Sequence, residues 1–113
     1  MNQKSEKAYM AMYTLLNRIY SRHPYGNLAV VLGDLNPNTF ADKVSADPAA
    51  CEDFCECYQN ADGAYSTELD TAYYACKQFL QKYEDEWGYS IPYVLEEFRA
   101  EEYRACYLAN ENK

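Results

Sequence analysis

Between Leu69 and Trp87, the residues Leu69, Ala72, Tyr73, Cys76, Phe79, Leu80, Tyr83 and Trp87 recur at intervals of mostly three and four positions. Apolar groups at that interval line one side of an α-helix; a strand, whose side chains alternate, would scatter them over both faces. The stripe runs for about five turns, so it demands a long helix and other elements to cover it. Its ends are marked as well. Ser66 or Thr67 can cap it, Glu68 and Asp70 sit at the positive end of its dipole, and Gly88 can take the left-handed conformation that closes a helix.

The rest of the chain keeps the same period. Ala8, Met12, Leu15, Leu16 and Ile19 give a first helix over about 5–20, with Thr14, Asn17 and Arg18 opposite, and His23-Pro24 ends it because the residue before proline leaves helical geometry. Leu28, Val31, Leu32 and Leu35 give a short second helix over about 25–35, broken at Asn36-Pro37-Asn38. A loop is expected over 39–46. Asp47-Pro48 then starts a third helix that runs to about 58–60, with Cys51, Phe54, Cys55 and Tyr58 expected inside. Asn60-Ala61-Asp62-Gly63 is turn chemistry. A fifth helix is expected from a Ser90 cap, with Pro92 in its first turn, to about Leu108. With 113 residues there is room for one domain and one substantial core. The fold class is therefore all-α: a single-domain bundle of about five helices over residues 1–113.

Charge narrows the partners. Eighteen acids against ten bases leave a net charge of −8, which repels nucleic-acid backbones and anionic membrane surfaces. No segment approaches the roughly 18 uninterrupted apolar residues of a membrane span. Lys4 and Lys7 are followed by Tyr9, Tyr13 and Arg18, without a small-residue cleavage site. Five cysteines, an odd number, suit reduced thiols better than a disulfide framework. A cytoplasmic location is expected.

No catalytic set emerges. A thiol nucleophile needs a base, and His23 is the only histidine; at a helix C-terminus its expected role is to gain from the dipole. Gly33-Asp34 lacks the further glycines and the lysine of a phosphate loop. The acids have no Glu-x-x-His pair of the kind a di-iron bundle uses. Cys51 and Cys55 share a helical face, with Cys57 nearly opposite Cys55. Cys51 and Cys55 with His23 or Cys76 could form a zinc site, but no C-x-x-C pair is present, so the thiols are expected to pack as small hydrophobes. Neither a metal nor a cofactor is expected.

Glu102 interrupts the Ile91, Leu95, Phe98 and Cys106 stripe, so it should either turn outward or pair, with Arg18, Arg22 or tyrosine hydroxyls. Thirteen tyrosines against four phenylalanines supply rings whose hydroxyls need water or a partner. They suit the wet margins of a core, or an interface. Tyr74 lies opposite the long stripe near Gln78, Gln81 and Asp85. Tyr103 and Tyr107 are expected away from Leu95 and Phe98, and Tyr9, Tyr13 and Tyr20 beside the first core stripe.

Leu32-Gly33-Asp34-Leu35-Asn36-Pro37, followed by Ser45-Ala46-Asp47-Pro48-Ala49-Ala50 with Asp53-Phe54, resembles a stretch of small uncharacterised bacterial proteins, some of them suspected immunity proteins for secreted toxins. The likeness covers about residues 28–58 and implies no catalytic residues. Glu52, Asp53 and Glu56 crowd one side of the third helix, and acids recur at 84–86 and at Glu96, Glu97 and Glu101. Such runs serve as solvated faces, or as recognition of a basic partner. The functional expectation is a non-enzymatic protein-binding domain, an immunity- or antitoxin-like inhibitor in its sharpest form. Its partner is expected to be a basic protein met through Glu52, Asp53, Glu56, Tyr74 and Asp85, and self-association is compatible with it. The alternative is a helical protein that binds a small ligand, or a metal through thiolates.

Overall fold

The computed structural model describes residues 3–24, 26–36, 48–88 and 92–111. Among these residues are six α-helices and no strand: α1 (Gln3–Arg22), α2 (Gly26–Leu35), α3 (Pro48–Ala61), α4 (Glu68–Trp87), α5 (Pro92–Glu97) and α6 (Ala100–Glu111). The all-α bundle expected from the apolar periods is the fold. Asp62-Gly63 and Gly88 fall between helices, as their turn chemistry requires. The expected break at Pro37-Asn38, the 39–46 loop, the Asp47 and Ser90 caps and Ile91 lie outside the described residues.

α1 is the hub, packing on all five other helices and most extensively on α6. Ala8, Tyr9, Ala11, Met12, Leu15, Leu16 and Ile19 are wholly buried. This is wider than the single stripe of a surface helix because partners approach from several sides. Each buried Leu or Ile contributes about 1.5–3 kcal/mol relative to exposure. α3 and α4 form an antiparallel pair joined by a short turn. The caps on α4 are made as its sequence suggests. The extended Thr67 accepts the Asp70 N–H on its side-chain oxygen at 3.0 Å, and Gly88, at φ 74°, donates to the Glu84 carbonyl at 3.2 Å.

Two expectations need correction. On α3 the buried residues are Ala50, Phe54, Cys57, Tyr58 and Ala61, while Cys51 and Cys55 are half-buried. The large ring decides the rotation. Phe54 meets Tyr9 edge-on at 5.3 Å and Phe79 at 5.5 Å, and seating it there turns Cys57 inward.

The second correction concerns the last helix, which is two. The chain breaks at Phe98-Arg99, where the Arg99 N–H turns to the Glu97 carbonyl at 2.9 Å. α4 supplies the donors that the break removes: Lys77 Nζ donates to the Leu95 carbonyl at 2.8 Å, and the Tyr73 hydroxyl to that of Phe98 at 3.0 Å. Satisfied from outside, those carbonyls need no continuing helix. The interruption resets the buried face, so Tyr103 and Tyr107, expected outside, are in the core.

The tyrosines are structural before anything else. Tyr9, Tyr58, Tyr83, Tyr103 and Tyr107 are buried; Tyr13, Tyr20, Tyr65, Tyr73 and Tyr93 pack at the margin of the core. Their hydroxyls are aimed at specific acceptors. Tyr9 donates to the Leu35 carbonyl at 2.7 Å, Tyr103 to that of Ala8 at 2.9 Å, Tyr83 to Asp34 at 2.6 Å and Tyr107 to Glu68 at 2.7 Å.

Phe54→Ala removes the ring that joins α1, α3 and α4, and should cost about 3–5 kcal/mol in urea unfolding. Tyr103→Phe keeps the ring and deletes the hydroxyl, and should cost about 1–2 kcal/mol. A Tyr103→Phe protein as stable as the parent would show that the buried hydroxyl bond contributes nothing.

Candidate functional site

The antiparallel course of α3 and α4 sets the start of one beside the end of the other. Lys82 of α4 thereby comes within 3.5 Å of an Asp53 oxygen and 3.8 Å of a Glu56 oxygen. Burial works to lower the pKa of the Lys82 ammonium; Asp53, Glu56 and Glu86 outweigh it and hold it above its ordinary value. Glu52 is exposed on the same helix as Asp53 and Glu56. The structure thus gathers two of the expected acids, Asp53 and Glu56, with Glu86 around one ammonium, and leaves Glu52 exposed beside Asp53 in the chain.

The other two expected residues lie apart from this group. Asp85 is exposed on α4 and accepts from Gln81 Nε2 at 3.1 Å. Tyr74 is on the same exposed side but eleven residues earlier, about 16 Å along the axis. Its ring stacks on Tyr65 at 4.5 Å and 11°, and meets Tyr73 edge-on at 5.2 Å. At 41% exposure it is the exposed tyrosine among the described residues, held by its neighbours in a fixed pose.

The thiols occupy different surroundings. Cys76 is wholly buried; its sulfur lies 3.4 Å from the Tyr103 hydroxyl and 3.6 Å from the Ala8 carbonyl. Burial pushes its pKa from 9.0 to about 12, although the Tyr103 hydrogen bond acts the other way. Burial also raises Cys57, opposed by Lys82 and reinforced by Glu56, and raises Cys106. A thiol held protonated is a poor nucleophile. Among the described residues no three His, Cys, Asp or Glu side chains are grouped to hold a metal ion.

Glu102 is paired. Its two oxygens accept from Arg22 Nη1 at 2.7 Å and Nη2 at 3.1 Å, a bidentate contact between α1 and α6. The hydrogen bond to Glu102 raises the Arg22 pKa. Next to this pair is a cleft that sequence reasoning did not single out. It has a volume of about 510 Å³ and is lined by His23, Pro24, Tyr93, Glu96, Glu97 and Arg99. His23 Nε2 lies 3.1 Å from Glu97 Oε1, and the Tyr93 hydroxyl donates to the His23 carbonyl at 3.0 Å. A histidine before a proline, facing a later Tyr-x-x-Glu-Glu helix, gives no signal until the bundle joins segments seventy residues apart.

Comparison of the chain with protein-family models, with curated proteins and with solved structures returns no match. Among the described residues no helix is long and apolar enough to cross a membrane.

Burial raises Cys76, Cys57, Cys106, Tyr58, Tyr73 and Tyr103 alike, so the fold favours their neutral forms. An unfolded chain would ionise first. The stability this contributes is therefore whole below the ordinary thiol value of 9.0 and is lost as pH rises toward about 12. Thermal melts between pH 7 and about 11 should show a level midpoint that falls steeply above pH 9. A midpoint unchanged through that window would contradict the buried-thiol account.

Proposed function

We propose that this protein is a non-enzymatic protein-binding domain whose acidic α3–α4 face docks a basic partner. In its sharpest form it is an immunity- or antitoxin-like inhibitor that covers a cationic active site. The observation that carries this reading is the gathering of Asp53, Glu56 and Glu86 about Lys82, with Glu52 exposed on the same helix. One ammonium against several carboxylates leaves a local negative field, and a chain of net charge −8 extends it. Such a field speeds encounter with a cationic surface and repels nucleic acid. Rigidity helps too, since helices that are already packed lose little freedom on docking. The buried thiols of Cys57, Cys76 and Cys106 suit a reducing compartment such as the cytoplasm.

Tyrosine is a smaller part of this reading than its abundance suggests. Most of the described rings are committed to the core or its margin, and Tyr74, stacked on Tyr65, is the most exposed of them. It stands as a second anchor on α4. The small-ligand alternative draws support from the 510 Å³ cleft beside His23, within the size range of small-molecule sites. Its thiolate-metal form draws none from the scattered cysteines.

Glu52→Lys with Glu56→Lys reverses two charges on exposed positions. Association with a partner captured from native lysate at low salt should slow by about tenfold and lose much of its salt dependence. Circular dichroism should be unchanged. Capture that is insensitive to both salt and charge reversal, or a lysate that yields no protein partner, would sink the proposal.

A further inference from the structure

We propose that the cleft between the end of α1 and α5 binds a guanidinium or ammonium group carried on an aliphatic stem. Its lining has the parts such a cation requires. α5 places Glu96 and Glu97 one turn beyond Tyr93, so two carboxylates and an aromatic ring border the same 510 Å³ space, with Pro24 as an apolar surface for the stem. The ring is fixed in place. Its hydroxyl is anchored on the His23 carbonyl at 3.0 Å, and it meets the imidazole edge-on at 6.0 Å and 77°. Tyr93 lines the same space as the carboxylates, where an aromatic ring attracts a cation.

Glu97 has capacity to spare. Oε1 is engaged by His23 Nε2 at 3.1 Å, whereas Oε2 is enclosed and has no hydrogen-bond partner among the described residues. An enclosed carboxylate oxygen without a donor is costly, and a forked cationic donor that takes the place of the imidazole would answer both oxygens at once. The His23 side chain is 57% exposed, so it can swing aside to admit one.

The sign of the local charge decides the class of ligand. Of the carboxylates and guanidinium that line the cleft, Glu96 and Glu97 outnumber Arg99, and the guanidinium of nearby Arg22 is already held by Glu102 in two short hydrogen bonds. An anion would meet two carboxylates, and the field of a −8 chain disfavours it further. A cation meets a pocket short of positive charge.

His23 is the only histidine, so its imidazole Cε1–H gives one nuclear magnetic resonance signal that reports the cleft directly. Titration with agmatine should move that signal along a saturable curve, with sodium chloride at matched ionic strength as the control. Arg99→Ala removes the repulsive charge and should tighten agmatine binding by about threefold; Glu96→Gln should weaken it by a similar factor. Glu96 rather than Glu97 is substituted because Glu97 also holds His23. A drift that never saturates and matches the salt control would overturn the site. So would weaker binding in Arg99→Ala, the result for an anion site. A blocked arginine tripeptide run in parallel separates the sources: tighter binding than agmatine assigns the site to a protein side chain, weaker binding to a free small cation. Agmatine needs no protein partner, so the cleft is tested independently of the α3–α4 face.

Discussion

Three helices meet at one carbonyl. Ala8, in the middle of α1, accepts the Tyr103 hydroxyl of α6 at 2.9 Å, and the Cys76 thiol of α4 lies against the same pair. A helical carbonyl has a second lone pair after its own ladder bond, so the hydroxyl occupies a site the helix leaves open. All three residues are wholly buried, and a hydroxyl buried there without a partner would cost about 1–3 kcal/mol. The α1–α6 contact is therefore specific in position as well as apolar. The same two helices then place Arg22 beside Glu102 at the far end of α1.

The pattern repeats around the core. Tyr9 reaches the last carbonyl of α2, Tyr73 the carbonyl at the end of α5, and Tyr93 that of His23 just beyond α1. Short helices leave carbonyls unsatisfied at their C-termini, and a bundle of short helices has many of them. A phenylalanine could fill the same volume and would leave those oxygens unpaired. Tyrosine fills it and closes the helix end, which gives a physical reason for tyrosine rather than phenylalanine at positions 9, 73 and 93. Lys77 does the same for Leu95 with its ammonium. The two donors from α4 make the α5–α6 break tolerable.

With the neutral hydroxyls and thiols inside, charge is left to the outside, and the bundle sorts it into two different places. On the α3–α4 face the acids surround an ammonium that faces solvent, a broad negative surface suited to steering. At the α1–α5 junction two acids, an imidazole and a guanidinium border an open cleft of about 510 Å³.

The sequence by itself determined the class of fold, the α2 and α4 stripes, both ends of α4 and the acidity of the α3 surface. These follow from period, capping chemistry and charge, which act within a few residues of chain. It also placed Glu52, Asp53 and Glu56 together, because they share a helix. Only the tertiary structure decided which thiol of α3 turns inward, since Phe54 needed Tyr9 and Phe79 to fix its rotation. Only it broke the last helix at Phe98-Arg99, because the donors that permit the break come from Tyr73 and Lys77 on another helix. That break buried Tyr103 and Tyr107. The cleft at His23 belongs to the same category: its walls are some seventy residues apart in the chain, and no local rule relates them until α1 gathers the other helices around it.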